Sequence, residues 1–75
     1  MAKSITSPIA GQLIQCLVKP GDMVAPDTEV AIVEAMKIMN RITADCAGRV
    51  TEILVNDGEM VEFGQTLMYV DAGED

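Results

Sequence analysis

Several residue types that commonly carry chemistry or fill protein interiors are scarce in this 75-residue chain. It has no histidine and no tryptophan, and its aromatic side chains are one tyrosine and one phenylalanine. Because histidine is the usual general base and a common metal ligand, catalysis by this chain alone is not expected. With so few rings, the core must be built from Val, Ile, Leu, Met and Ala, and the six methionines supply adaptable filler.

Positive charge and long apolar runs are also scarce. Five Lys and Arg stand against twelve Asp and Glu, a net charge of −7, so the surface repels polyanions and nucleic acid is not expected as a partner. Solubility is the main explanation that we favour for this acidity. The alternative is that the acidic surface complements a basic surface on a partner protein. The N-terminal MAKSITSPIAG has no apolar run long enough for a signal peptide, and no window approaches a membrane span. We therefore expect no membrane partner.

The two cysteines, Cys16 and Cys46, lack the spacing of a zinc knuckle or a redox pair. We predict that both are reduced and half-buried, which favours a cytoplasmic protein. A disulfide between them is the less favoured alternative.

The chain contains an internal repeat. When residue n is aligned with residue n + 37 without gaps, eleven of the 31 positions from 5 to 35 are identical, against about two expected from ordinary residue frequencies. The identical pairs are Ile5/Ile42, Thr6/Thr43, Ala10/Ala47, Gly11/Gly48, Leu17/Leu54, Val18/Val55, Gly21/Gly58, Met23/Met60, Val24/Val61, Val33/Val70 and Ala35/Ala72. We therefore predict a single domain over residues 1–75 with half-repeats 5–35 and 42–72.

Each half-repeat has the same order of features: Ala-Gly, an apolar run, a turn, Met-Val, a polar stretch and a second apolar run. Short runs rich in Val and Ile and bounded by Gly, Pro, Asn and Asp predict β-strands, and KPGD and NDGE predict type I or II turns. Neither half can bury an apolar face alone, so the halves must pack together about a pseudo-twofold axis. The predicted fold is all-β, a flattened barrel or sandwich of roughly eight antiparallel strands.

The junction between the half-repeats carries a lysine. VAIVEA and IMNRIT are both predicted strands, so residues 35–38, AMKI, must form a tight hairpin. Gly, Asn or Asp usually occupies such a turn, yet Met36 and Lys37 stand here. Most lysines are solvated surface cations, but this position makes Lys37 a candidate for modification. The equivalent junction in the second half would join the two chain ends.

The stretch IVEAMKIMN, with SPIAG, VKPGDMV and AGRVTEILVNDGEMVEFGQTLMYV, resembles the biotinyl domains of biotin-dependent carboxylases, and in particular the carriers of acetyl-CoA carboxylases. The resemblance covers the whole chain. It implies a flattened barrel of two four-stranded antiparallel sheets, with biotin in amide linkage to Lys37 on an exposed β-turn. Ile38 departs from the most common AMKM pattern, and the ungapped match between the halves leaves no room for the thumb insertion of some relatives.

The resemblance also implies partners and a carrier role without catalysis. A solvated lysine amine is almost entirely protonated at pH 7, so a biotin protein ligase must deprotonate Lys37 and acylate it from biotinyl-adenylate. A biotin carboxylase would then load CO2 onto the biotin, and a carboxyltransferase would remove it. Tethering raises the effective concentration at both active sites without tight docking.

Ligase recognition is implied for Glu34, Ala35, Met36 and Ile38. Glu34 is equally well explained as a strand-end carboxylate preserved by the duplication, because Asp71 stands at the matching position. Met36 could serve packing or docking, and we favour docking because its counterpart is Gly73, which needs no packing group.

Two rival functions remain at this point. A lipoyl domain shares the duplicated fold and the lysine hairpin, but it usually has Asp before the lysine and Ala or Val after it, so Met36 argues against it. The other rival is a β-barrel interaction module in which Lys37 is never modified. Intact mass distinguishes a lipoyl carrier from a biotin carrier, because the two acyl groups add different masses. Streptavidin capture distinguishes a biotin carrier from a module that is never modified.

Overall fold

The computed structural model describes residues 2–72, and this range folds into β-strands joined by turns, without a helix. The strands in chain order are β1 Ala2–Thr6, β2 Gly11–Cys16, β3 Met23–Val24, β4 Glu29–Ala35, β5 Ile38–Thr43, β6 Gly48–Ile53, β7 Met60–Val61 and β8 Thr66–Asp71. The prediction of an all-β chain is therefore confirmed. Because no helix is present in the described range, none is available there to cross a membrane.

The eight strands of the described range form two antiparallel sheets of four strands each. One sheet has the order β1-β8-β6-β3, and the other has the order β5-β4-β2-β7. Adding four to each strand number of the first half and subtracting four from each of the second half converts one order into the other, as the predicted pseudo-twofold symmetry requires. Each sheet combines two strands from each half-repeat, so the halves are interleaved rather than stacked as separate units.

Backbone hydrogen bonds outside the strand ladders repeat with the same 37-residue offset. Leu17 N donates to Val30 O at 2.8 Å, and Leu54 N donates to Leu67 O at 2.9 Å. Between the halves, Gly21 N donates to Val50 O and the equivalent Gly58 N donates to Leu13 O, each at 2.7 Å. The connections β2–β3 and β6–β7 have equal lengths, which agrees with the ungapped repeat and the absence of an inserted thumb in residues 2–72.

The core lies between the two sheets and consists almost entirely of aliphatic side chains. Its buried apolar members are Ile5, Leu13, Val24, Val30, Ala31, Val33, Ile42, Ala44, Val50, Val55, Val61, Leu67, Met68 and Val70. Most of these form pairs across the repeat, such as Leu13 with Val50 and Val33 with Val70. Full burial of a side chain of this size contributes roughly 1.5 to 3 kcal/mol. Because the buried side chains come from both halves, neither half can form this core alone.

The two cysteines and the two predicted turns agree with the sequence expectations. Cys16 and Cys46 are free and partly buried. In KPGD, Asp22 N donates to Lys19 O at 3.0 Å, and Gly21 has φ 99°. NDGE repeats this geometry, with Gly58 at φ 90°. Positive φ at the third residue identifies both as type II turns.

Candidate functional site

The candidate site is the hairpin between β4 and β5. Ala35 pairs with Ile38 at the end of the ladder, leaving Met36 and Lys37 as the two turn residues. Their φ angles are 53° and 64°, the left-handed values of a type I′ turn. The structure therefore places Lys37 at the hairpin tip that the sequence predicts.

This turn is conformationally costly for the residues that occupy it. Side chains with a Cβ disfavour the left-handed region by roughly 1 to 2 kcal/mol per residue, which is why Asn and Gly dominate type I′ turns. Met36 and Lys37 have neither glycine's freedom nor asparagine's local hydrogen bonding. The turn residues are thus not the ones that hairpin stability would select.

The side chains around the tip are exposed although most are apolar. Met36 is 92% exposed, Ile38 62% and Met39 55%, and Lys37 is also exposed. Met36 therefore does not serve core packing, which favours the docking interpretation; its repeat counterpart Gly73 lies outside the described residues. Within residues 2–72, no hydrogen bond or ion pair holds the Lys37 side chain, so its amine is available to an external reactant.

Glu34 and Ala35 occupy the last positions of β4 and are partly buried. Glu34 pairs with Met39 on one side and with Gln12 of β2 on the other. The four flanking residues proposed for recognition thus surround Lys37, but in different environments. Met36 and Ile38 project into solvent, whereas Glu34 and Ala35 are held within the sheet.

Gly11 supports the base of the hairpin, a role that the sequence analysis did not assign. A Cβ at this position would overlap the backbone carbonyl oxygen of Glu34. The equivalent Gly48 has the same relation to the carbonyl oxygen of Asp71. Close backbone approach therefore explains why glycine occurs at the same place in both halves, and the repeated glycine at the start of a strand was the available signal.

Asn40 is a second supporting residue that sequence reasoning did not single out. Its side-chain Nδ2 donates to Ile38 O at 3.1 Å and to Val33 O at 3.3 Å. These acceptors lie on the two strands of the hairpin. No residue pattern predicts such a contact, because it depends on the pairing of Asn40 with Val33 across the ladder.

Other chemically active groups in the described chain do not form a site. Residues 2–72 contain no cluster of three or more His, Cys, Asp or Glu side chains placed to hold a metal ion. Burial raises the pKa of the Cys16 thiol, and the nearby Asp57 carboxylate raises it further. The thiol is therefore protonated at neutral pH and a poor nucleophile.

Comparison with known proteins gives a consistent result. The family model described as "Biotin-requiring enzyme" matches residues 3–70. The biotin carboxyl carrier protein of acetyl-CoA carboxylase from Chlamydia muridarum is 45% identical over 73 residues, covering 88% of this chain and 45% of the relative. The protein of the same name from Pyropia yezoensis is 48% identical over 65 residues, covering 87% of this chain and 40% of the relative. The chain thus spans less than half the length of these curated relatives.

Two solved structures share the fold. The urea carboxylase of Kluyveromyces lactis superposes with a TM-score of 0.88 and 31% identity, covering 95% of this chain and 6% of that one. A single-chain, multi-domain long-chain acyl-CoA carboxylase superposes with a TM-score of 0.90 over 97% of this chain and 7% of its own. At 22% identity, the second likeness concerns the fold alone.

Proposed function

Because this chain belongs to the family of biotin-requiring enzymes, we propose that Lys37 is its biotin-attachment residue. The observation that carries the proposal is the exposed amine of Lys37 at the tip of a type I′ turn built from residues that turn stability does not favour. Attachment forms an amide between Lys37 Nζ and the biotin carboxyl carbon. AMP leaves from the adenylated biotin with the bonding electron pair, and the amine loses its protons to a base on the ligase.

We further propose that the chain acts as a carboxyl carrier of the acetyl-CoA carboxylase type. Support comes from the carrier proteins of that name, which match most of this chain. When bound, biotin supplies a ureido nitrogen that takes up and releases CO2. This chain contributes the flexible lysine stem and a compact body, while a biotin carboxylase and a carboxyltransferase supply catalysis.

The role of the hairpin in this process is presentation. An amidated Lys37 carries no positive charge, and its stem extends from the tip of two paired strands rather than from a loop. A fixed attachment point limits the volume that the tethered group explores and so raises its effective concentration at both partner sites. The cytoplasm is the proposed compartment, because Cys16 and Cys46 are free, partly buried thiols and reduced cysteines are typical of cytoplasmic proteins.

Recognition by a biotin protein ligase is proposed for Glu34, Ala35, Met36 and Ile38. Met36 and Ile38 offer exposed apolar surface next to the amine, the kind of surface that gains free energy when a partner covers it. Glu34 and Ala35 contribute through the shape and charge of the strand end. The ligase thus contacts both sides of the turn.

Co-expression with a biotin protein ligase tests the attachment residue. Lys37→Arg keeps the positive charge but removes the acylatable amine, so we expect complete loss of streptavidin capture with an unchanged melting temperature. Lys3→Arg and Lys19→Arg are matched controls that should label fully. Continued labelling of Lys37→Arg would refute the assignment.

Intact mass of the wild-type protein tests the nature of the attached group. The mass increase for one biotin differs from that for one lipoyl group, so a single spectrum separates the carboxyl carrier from a lipoyl carrier. An unmodified mass after exposure to both ligases would leave the unmodified interaction module as the function.

A further inference from the structure

We propose that Asn40 is a positioning residue for attachment of biotin to Lys37: its side-chain amide holds the hairpin in the conformation that the ligase binds. The inference rests on the proposed function. It concerns a residue whose side-chain hydrogen bonds go to Val33 and Ile38 rather than to the reacting amine or the two turn residues.

The geometry of the Asn40 amide suits this role. Its nitrogen carries two hydrogens, and it lies within hydrogen-bond distance of two carbonyl oxygens, Ile38 O at 3.1 Å and Val33 O at 3.3 Å. Ile38 is the first residue after the turn, and Val33 lies on the opposite strand. The amide therefore links the returning strand to the outgoing strand just below the tip.

The hairpin needs such a link because its turn opposes closure. Both turn residues adopt left-handed φ, which disfavours the turn relative to an Asn-Gly sequence. Above the pair of Asn40 with Val33, the ladder contains only the pairs of Met39 with Glu34 and Ile38 with Ala35. A short ladder capped by an unfavourable turn frays at its end. The hydrogen bond from the Asn40 amide to Val33 O crosses to β4 and resists that fraying, while the one to Ile38 O fixes the backbone of β5 next to the turn.

The internal repeat provides a control within the molecule. Lys3 occupies the position equivalent to Asn40 and pairs with Val70, as Asn40 pairs with Val33. No hydrogen bond from the Lys3 side chain to Val70 is found among residues 2–72. At that end of the repeat no turn joins β1 to β8, so there is no turn to hold closed. The asparagine thus occurs only in the copy that has a hairpin tip.

The expected signature is a change in ligase KM rather than in kcat. If the ligase binds only the closed hairpin, opening the hairpin reduces apparent affinity by the closed fraction, while the bound complex reacts at the same rate. Losing both hydrogen bonds is expected to raise KM on the order of tenfold, with kcat within about twofold of wild type. A residue that only supported the fold would lower the melting temperature without this split.

The experiment uses purified unmodified protein with biotin protein ligase, ATP and biotin. Asn40→Asp is nearly isosteric but removes both donors and sets a carboxylate against two carbonyl oxygens. Asn40→Thr keeps a side chain that favours strands and provides the measurement if the Asp variant does not fold. Lys3→Thr is the matched control at the equivalent position and should leave KM unchanged.

Backbone amide resonances supply an independent readout. In the Asn40 variants we expect shifts or broadening at Met36, Lys37 and Ile38, with Val70 and the rest of β8 unchanged. A folded Asn40 variant with wild-type KM, or with a fall in kcat alone, would overturn the inference. If wild-type protein is not labelled at all, the proposed function fails instead, and the two failures are distinguishable.

Discussion

At the scale of single residues, Gly11 shows how a position without a side chain can support the site. Its Cα faces the Glu34 carbonyl so closely that no Cβ fits, and Gly48 repeats the arrangement against Asp71. The two glycines therefore make the same backbone contact at two places in the fold. Only Gly11 lies beside β4, the strand that leads into the turn with Lys37.

This pair allows a test that separates stability from labelling. Gly11→Ala and Gly48→Ala should each lower the free energy of unfolding by about 2 kcal/mol, because the backbone must shift to admit a Cβ. Urea unfolding measures that loss. Of the two, only Gly11→Ala should also slow labelling by the ligase, since the shift reaches Glu34. Equal labelling rates for the two variants would contradict this interpretation.

Residue identity alone predicted the place of some of these residues and not of others. The turn position of Lys37 and Met36 could be predicted because both lie between two strand-forming runs, and the absence of Gly, Asn or Asp made that turn unusual. The hydrogen bonds of Asn40 could not be predicted, because they depend on the strand register that places Asn40 opposite Val33. Gly11 falls between these cases: the repeat marked it, but only the structure identifies the carbonyl that excludes a Cβ.

At the scale of elements, the β4–β5 hairpin combines a regular ladder with an unfavourable turn. The ladder continues from Glu29 paired with Thr43 to Ala35 paired with Ile38, with one irregularity between Glu29 and Ala31. An ion pair between Arg41 and Glu29, 3.0 Å between Nη1 and Oε1, also joins the two strands. Both side chains are largely exposed, so the pair adds at most about 1 kcal/mol.

Changing the turn should therefore exchange function for stability. Met36→Asn places a residue that tolerates positive φ at the first turn position, and it should raise the free energy of unfolding by roughly 1 kcal/mol. It should also slow labelling, because the apolar surface beside the amine is lost. Chemical unfolding and ligase kinetics on the same samples measure both effects.

Met36→Leu is the control for this exchange. Leucine remains apolar and keeps the conformational cost, so stability should stay near wild type while labelling slows to the extent that the ligase reads the methionine itself. If Met36→Asn is no more stable than Met36→Leu, the turn is not the source of strain that its φ angles indicate.

The sequence was more informative about where the strands and turns lie than about the turn type or the order of strands in each sheet. KPGD and NDGE predicted turns of type I or II, and only the positive φ of the glycines selected type II. The repeat predicted two matched halves, but it did not show that each sheet takes strands from both. Strand order depends on which edges meet in space, and an offset of 37 residues is compatible with more than one arrangement.

At the scale of the whole molecule, the pairing of β1 with β8 brings the two ends of the described chain together. Ala2 pairs with Asp71, the position equivalent to Met39 paired with Glu34 in the hairpin. The same ladder therefore forms at both junctions, although a turn joins β4 to β5 and no turn joins β8 to β1. Chain continuity at a given junction should matter little to the core.

Circular permutation tests this independence. Joining the ends through a short flexible linker and opening the chain between Asn56 and Asp57, in an exposed turn, should retain cooperative unfolding and labelling of Lys37. Opening the chain between Met36 and Lys37 instead should keep the fold but reduce labelling at least tenfold, because the turn is gone. Thermal melts and streptavidin capture measure the two outcomes. A first permutant that fails to fold would show that the junctions are not interchangeable.

The place of β8 in its sheet has a consequence for synthesis. The last strand of the described range lies in the interior of the sheet, between β1 and β6. Before residues 66–71 have been synthesised, β1 has no partner in its sheet, β6 is paired only with β3, and the sheet cannot complete its side of the core. Closure of the barrel therefore waits until residues 66–71 are available to pair, and a nascent chain that still lacks β8 is the form that chaperones and proteases would meet.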